Sequence, residues 1–201
     1  MTGKHISALI LAAGSSSRMG QPKQALLVDG EPLIVRTVRA ALASKADTVL
    51  AVLGSGASNH KQVLNDLPVS ILIHERWQEG LGSTLKRGLN EILRLNSQTN
   101  AVLVMVCDQP ELTTEHLNQL IDQYKSTHHA IVASSYQGAI GVPAIVDSSL
   151  FSDLLRIENH EGAKAVIRNY PQLTLAIPFP GGEIDLDTLE QYTRYLREKN
   201  N

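Results

Sequence analysis

The sequence predicts an α/β fold in which a mostly parallel sheet is covered by helices on both faces. Three observations lead there. Five nearly continuous apolar segments, residues 6–11, 48–53, 69–73, 101–106 and 130–133, have strand length and no alternation, which suits strands buried on both faces. Segments with helical spacing separate them, the order expected of a parallel sheet. Turns bearing glycine, serine and aspartate follow several of the strands directly, and in open parallel sheets ligands sit beyond the strands' carboxyl ends.

Residues 6–11 form the first strand. The helix over 32–43 begins with Pro32, suited to a first helical position, and carries Leu33, Val35, Val38 and Leu42 at broadly helical spacing. The second strand, 48–53, ends at Gly54-Ser55-Gly56. A short helix is expected over 59–66, then a third strand over 69–73. Residues 83–95 read as a helix with Leu85, Leu89 and Ile92 on one face, and 101–106 is the clearest strand. A helix over 114–124 has Thr114 as its candidate N-cap, and 130–133 is the fifth strand. Beyond Ser134 the pattern loosens into short helices over 149–156 and 161–169, a strand over 173–177 and a terminal helix over 188–199. No repeat or linker interrupts the chain, so a single domain over 1–201 is expected.

The composition narrows the function classes. A formal net charge of -2 provides no global field for nucleic acid or an acidic membrane. One cysteine, Cys107, allows neither an intrachain disulfide nor a cysteine zinc cluster. The start of the chain carries no signal-peptide apolar region, and no apolar run reaches bilayer length. A soluble, cytoplasmic protein is the expectation, a monomer or weak dimer. The seven histidines have no metal-ligand spacing, and His128, His129 and His160 are expected at the surface.

The most informative segment follows the first strand: Leu11-Ala12-Ala13-Gly14-Ser15-Ser16-Ser17-Arg18-Met19-Gly20-Gln21-Pro22-Lys23. A glycine- and serine-rich loop turns backbone N–H groups toward an anion, and Arg18 and Lys23 add two cations. Together they suit the polyphosphate of a nucleoside triphosphate. The bland alternative is a surface turn with incidental cations. The loop is neither a Walker P-loop nor a G-x-G-x-x-G dinucleotide loop. Lys23 is the candidate for stabilising transition-state charge.

A second set, Cys107-Asp108-Gln109-Pro110, ends the fourth strand. Magnesium is held by one or two carboxylates plus substrate phosphates, so Asp108 alone can anchor it. Cys107 reads as a small buried hydrophobe, not a nucleophile. A third set is Asp185, Asp187 and Thr188. Alternation along a strand would point both aspartates to one side, toward a cation shared with Asp108; alternatively Asp187 or Thr188 caps the last helix. Trp77 either stacks on a planar ring or packs. Gly80, Ser83 and Thr84 precede or open a helix whose amides can face a ligand, and residues 138–143 are placed on the acceptor side.

These motifs resemble the MobA-like nucleotidyltransferases and, within them, the molybdenum cofactor cytidylyltransferases. The likeness runs from Leu11-Ala12-Ala13-Gly14 through Arg18, Met19, Gly20 and Lys23, then Gly30-Glu31-Pro32-Leu33, Trp77, Gly80, Ser83-Thr84-Leu85 and Gly88. It continues with the Cys-Asp-Gln-Pro quartet, Gly141, Pro143, Gly162-Ala163-Lys164 and Asp185, Asp187 and Thr188. It implies a Rossmann-like three-layer sandwich of the nucleotide-diphospho-sugar transferase type and dependence on Mg2+. It also implies transfer of CMP from CTP to the phosphate of molybdenum cofactor, with release of pyrophosphate. Residues 11–18, Lys23, Gly80, Ser83, Thr84, Cys107 and Asp108 would then bind nucleotide, with Lys23, Arg18 and Asp108 catalytic. Asp108, Asp185 and Asp187 would hold metal, and Gln109, Gly141, Pro143 and Lys164 would meet the acceptor. Ala13, where guanylyl enzymes carry glycine, points to cytosine. Asn159-His160, Lys164 and Leu189 depart from the family pattern of Gly-Asp, Arg and Pro. A molybdoenzyme or its chaperone is the implied recipient of product. Guanylyl transfer, a sugar-phosphate acceptor and a non-catalytic cofactor carrier are the competing readings.

Overall fold

The computed structural model describes residues 4–15, 19–20 and 22–199. Among the described residues nine strands form, in chain order: β1 (Ile6–Ala12), β2 (Leu27–Val28), β3 (Glu31–Pro32), β4 (Thr48–Leu53), β5 (Ser70–Ile73), β6 (Ala101–Val106), β7 (Ile131–Tyr136), β8 (Ala139–Asp147) and β9 (Thr174–Pro178). Seven of them make one sheet in the order β5-β4-β1-β6-β8-β7-β9. All its neighbouring pairs are parallel except the two made by β8. β1 lies centrally, with β4 and β5 to one side and β6 to the other. The direction of winding therefore reverses between β1 and β6, the crevice where open sheets of this kind hold ligands.

Seven α-helices among the described residues accompany the strands: α1 (Leu33–Leu42), α2 (Ala57–Val63), α3 (Leu81–Leu95), α4 (Thr114–Ser126), α5 (Phe151–Arg156), α6 (Lys164–Asn169) and α7 (Leu189–Lys199). The pleat of β1 sorts the core. Ile6, Ala8, Ile10 and Ala12 join α1 and α4 on one face. Leu9 and Leu11 join α3, α5 and α6 on the other. Gly88 lets α3 sit close to the sheet, because a Cβ there would run into the side chains of Leu9 and Val52. Among the described residues no helix is long and apolar enough to cross a membrane.

Several expected elements shift. Thr113, not Thr114, caps α4: its side chain accepts a hydrogen bond from the His116 amide. Residues 138–143, placed on the acceptor side without an assigned element, run from a turn into a strand. Gln137 and Gly138, both at positive φ, make a two-residue hairpin turn that leads into β8. Gly141 and Pro143 obscured that strand, since proline breaks a ladder unless it lies at a bulge. It does: pairing jumps from Ala133↔Ala144 to Ser134↔Gly141, and β6 pairs only from Ala144 onward. Asp29 and Gly30 turn the small β2–β3 hairpin in the same way.

Candidate active site

The opening loop leaves β1 at the reversal point. Leu11, Ala12 and Ala13 are buried, so their backbones, not their side chains, can face a ligand. Gly14 is exposed, and a Cβ built on it would meet nothing. Ser15 is half-buried. Ser16, Ser17 and Arg18 lie outside the described residues. The two ends of the loop are braced by a residue the sequence did not single out. Gln24 is buried, and its side-chain amide donates to the Ala12 carbonyl at 3.2 Å and to the Gly14 carbonyl at 2.8 Å. Its reach comes from the 3-10 turn Lys23–Ala25, a feature with no distinct sequence signal.

That turn aims Lys23 across the crevice. Its Nζ donates to Asp108 Oδ2 at 2.5 Å and to Asp187 Oδ1 at 3.0 Å. Burial alone would lower the ammonium's pKa, but the charge and hydrogen bond of Asp108, followed by those of Asp187, outweigh it and hold the value raised. Lys23 is therefore a permanent cation between two carboxylates.

Residues 181–188 are not a strand. They form an irregular connection pinned where the Leu186 amide donates to the Asp108 carbonyl at 3.1 Å. The two aspartates divide the space: Asp187 meets Lys23, whereas Asp185 lies at the rim, open to solvent. Loss of hydration, partial at such a position, and the charges of Asp108 and Asp187 push the Asp185 carboxyl up to about 6; Lys23 and Lys164 oppose the rise. The capping alternative also has its answer. Thr188 and Gln191 form a reciprocal cap at the start of α7, with the Gln191 amide donating to Thr188 Oγ1 at 3.2 Å and the Thr188 amide to Gln191 Oε1 at 2.9 Å.

The chemistry of these donors suits a hard cation. Asp108 Oδ1 is buried and has no hydrogen-bond partner among the described residues, an expensive state for a carboxylate oxygen that a divalent ion would relieve. Among the described residues no three His, Cys, Asp or Glu side chains gather closely enough to hold a metal by themselves. The ion would need water and substrate oxygens to complete its shell, as magnesium commonly does.

Protonation supplies a test. An Asp185 carboxyl pushed up to about 6 keeps its proton over a range in which an open carboxyl has lost it. Its ionisation thus opposes folding, with stability falling as pH rises from about 4 through 6. Cation binding runs the other way and weakens as pH falls through 6. A carbon-13 carboxyl titration is expected to show a midpoint near 6, moving lower when Mg2+ is added. A midpoint in the ordinary carboxylate range would refute the arrangement.

The other expected residues are placed less directly. Cys107 is buried on the α1/α4 face, and burial with the nearby Asp108 charge pushes its thiol up to about 12, so it stays protonated. Ser83 and Thr84 do not offer their hydroxyls outward. Ser83 Oγ lies 2.9 Å from His74 Nε2 and donates to Glu79 Oε2 at 2.8 Å, and Thr84 Oγ1 donates to the Gly80 carbonyl. The first amides of α3 are also engaged, since the Gly82 and Ser83 amides point to the Asn159 carbonyl at 2.8 and 3.4 Å. Gly80 sits at φ 119°, against the Asn159 backbone. Trp77 is half-buried with its Cβ beside Gly54 and Ala13. His128 and His160 are exposed.

On the far side of the carboxylates, Gln109 is buried and its side-chain amide donates to the Val142 and Gly182 carbonyls at 3.2 and 3.0 Å. It binds β8 to the connection that carries Asp185. Gly141 is buried because Tyr136 and Lys164 close over it: a Cβ there would meet Tyr136 Oη and Lys164 Cε. Pro143 presents its carbonyl to Ser134 Oγ, which donates to it at 2.7 Å. Lys164 is exposed, with Nζ 5.8 Å from the centre of the Tyr136 ring. Tyr136 was not among the expected site residues.

Residues 8–174 match the MobA-like NTP transferase domain family. Purine catabolism protein PucB of Bacillus subtilis is 27% identical, with 98% of each chain covered. Nicotine blue oxidoreductase of Paenarthrobacter nicotinovorans is 27% identical over 95% of this chain and 96% of its own. A probable molybdenum cofactor guanylyltransferase of Synechococcus elongatus is 33% identical over 67% of this chain and 68% of its own. Among solved structures, Rv0371c of Mycobacterium tuberculosis superposes with a TM-score of 0.79 at 26% identity, covering 98% of this chain and 100% of that one. Its manganese complex gives 0.76 at 24%, covering 96% and 98%. The sheet and its helical layers are those of the nucleotide-diphospho-sugar transferase fold.

Proposed function

The chain belongs to the MobA-like NTP transferase family, and we propose that it transfers CMP from CTP to the terminal phosphate of molybdenum cofactor, releasing pyrophosphate. The observation that carries this reading is Lys23, fixed between Asp108 and Asp187 at the point where the sheet's winding reverses. A nucleoside triphosphate laid along the opening loop would place its phosphates against that cation.

The acceptor phosphate is already ionised, so attack needs no general base. One of its oxygens forms a bond to the α-phosphorus while the bond from that phosphorus to the α–β bridging oxygen breaks. Pyrophosphate leaves with the electron pair. Lys23 neutralises charge as it builds on the phosphate oxygens, and Arg18 is assigned the same task. Gln24 keeps the loop in shape, so that its amides need not reorganise as charge develops. A divalent cation held by Asp108, with Asp185 and Asp187 at its rim, would shield the phosphates and polarise the α-phosphorus. Lys164, across the carboxylates from Lys23, is assigned to the acceptor phosphate. The manganese bound to Rv0371c supports a divalent ion here.

The acceptor draws support from the 33% identical relative described as a molybdenum cofactor guanylyltransferase. That same relative favours GTP as the competing nucleotide. Ala13, which stands where guanylyl enzymes of the resembled family carry glycine, favours CTP. The deciding experiment measures pyrophosphate release from each of the four NTPs, with Mg2+ and molybdenum cofactor. The reading requires turnover to be fastest with CTP and to stop without the cofactor. Fastest turnover with GTP would transfer the assignment to guanylyl chemistry.

A further inference from the structure

We infer that Gln191 is a positioning residue for the reaction, the point at which α7 holds Asp187 against Lys23. The inference rests on the reading that Lys23 and Asp187 belong to the active site. Gln191 lines the same cavity as Asp185, and its side chain reaches back over the start of its own helix. There Oε1 accepts three hydrogen bonds: from the Asp187 amide at 3.0 Å, the Thr188 amide at 2.9 Å and Thr188 Oγ1 at 3.2 Å. A capping box needs only the second of these, together with the Gln191 main-chain amide donating to Thr188 Oγ1. The bond to Asp187 extends the cap one residue upstream and fixes the backbone of the aspartate that meets Lys23.

The rest of α7 has the character of a strap. Tyr192 Oη donates to the Leu27 carbonyl at 2.7 Å, Tyr195 Oη to Glu111 Oε1 at 2.6 Å, and Lys199 Nζ to Asp29 Oδ2 at 2.5 Å. Tyr195, Leu186 and Met19 share one small apolar cluster with Leu26, Val28 and Leu33. Each anchor ties the helix to the segment after Lys23 or to the turn after Asp108. Among the described residues of α7, the hydrogen bond to Asp187 is made by Gln191, in the helix's first turn. Without it, the aspartate would sit on an irregular connection whose other described backbone anchor nearby is the Leu186 amide on Asp108.

The test compares Gln191→Ala and Gln191→Glu with the natural chain. Glutamate accepts the same three bonds, as capping positions of this kind allow. In the nucleotide-free protein, NMR is expected to show the Lys23 ammonium protons exchanging slowly with water, exchanging fast in Gln191→Ala, and protected again in Gln191→Glu. Turnover should divide the same way, with kcat about tenfold lower in Gln191→Ala, KM for CTP within about twofold, and Gln191→Glu close to natural. If Gln191→Ala lowers only the melting temperature, leaving ammonium protection and kcat intact, Gln191 is a helix cap and the inference is overturned. If the natural protein turns over no nucleotide, the functional reading fails, and the ammonium measurement still decides whether Gln191 holds Asp187.

Discussion

Replacing Lys23 by methionine is expected to lower nucleotidyl transfer by about 10²- to 10³-fold, the effect of removing one preorganised group that stabilises transition-state charge. Methionine keeps much of the stem and removes the charge, so the 3-10 turn that also carries Gln24 should survive. The loss should fall mainly on kcat. In the resting site Lys23 is occupied by Asp108 and Asp187, so a nucleotide must displace those bonds to reach it, and its help with ground-state binding is partly cancelled. In the transition state more negative charge bears on the phosphates, and the balance tips toward them. A second readout is independent of turnover. Lys23 is one of the two cations that restrain the Asp185 carboxyl, so Lys23→Met should move that group further up from about 6. Rates of pyrophosphate release within about threefold of natural, well short of the loss expected of such a group, would remove Lys23 from the mechanism.

What the sequence revealed, and what it hid, follows from whether a signal is local. β1, β4 and β6 declare themselves because strands buried on both faces must be apolar throughout. β8 conceals itself because Gly141 and Pro143 occupy a bulge whose position depends on pairing with β7 and β6. Thr113 and Thr114 are chemically alike, and only the path into α4 selects Thr113 as its cap. In the site, Lys23 and Asp108 were legible because each follows a strand at the place where parallel sheets hold ligands. Asp185 and Asp187 were legible as a pair but not as two roles. Their division depends on Leu186 reaching Asp108 and on Gln191 reaching Asp187, contacts made by an irregular segment without periodicity. The helix start at Gly80, Ser83 and Thr84 was expected to offer backbone amides to a ligand. The sequence could not show that the Asn159 carbonyl would take up the Gly82 and Ser83 amides. Gln24 and Tyr136 act through backbone carbonyls and a glycine that the chain brings from elsewhere, and no local pattern announces such partners.

Asp108→Asn is expected to have the larger effect on metal-dependent turnover, on the order of 10³-fold or more, because Lewis-acid stabilisation is worth several kcal/mol and each 1.36 kcal/mol is a factor of ten. The substitution preserves shape. Asparagine's carbonyl oxygen can still accept from Lys23, and the Leu186 amide bonds the main chain, which is unchanged. What disappears is the charge and the unpartnered Oδ1, where an amide NH2 would repel a cation that the carboxylate attracts. The fold should lose little. Lys23 and Asp108 keep roughly a fifth of their side-chain surface in water, and Lys23 retains Asp187, so the cost should stay near the ~1 kcal/mol of a partly exposed pair. A melting experiment can therefore separate the two effects. The half-saturating Mg2+ concentration should rise sharply, with the midpoint of unfolding moved by a few degrees. Adding Lys23→Met to Asp108→Asn should cost less than the product of the single losses, because residues that act as one unit are not additive. Fully multiplicative losses would mean that Lys23 and Asp108 act separately, and an Asp108→Asn protein with natural Mg2+ dependence would mean the cation is held elsewhere.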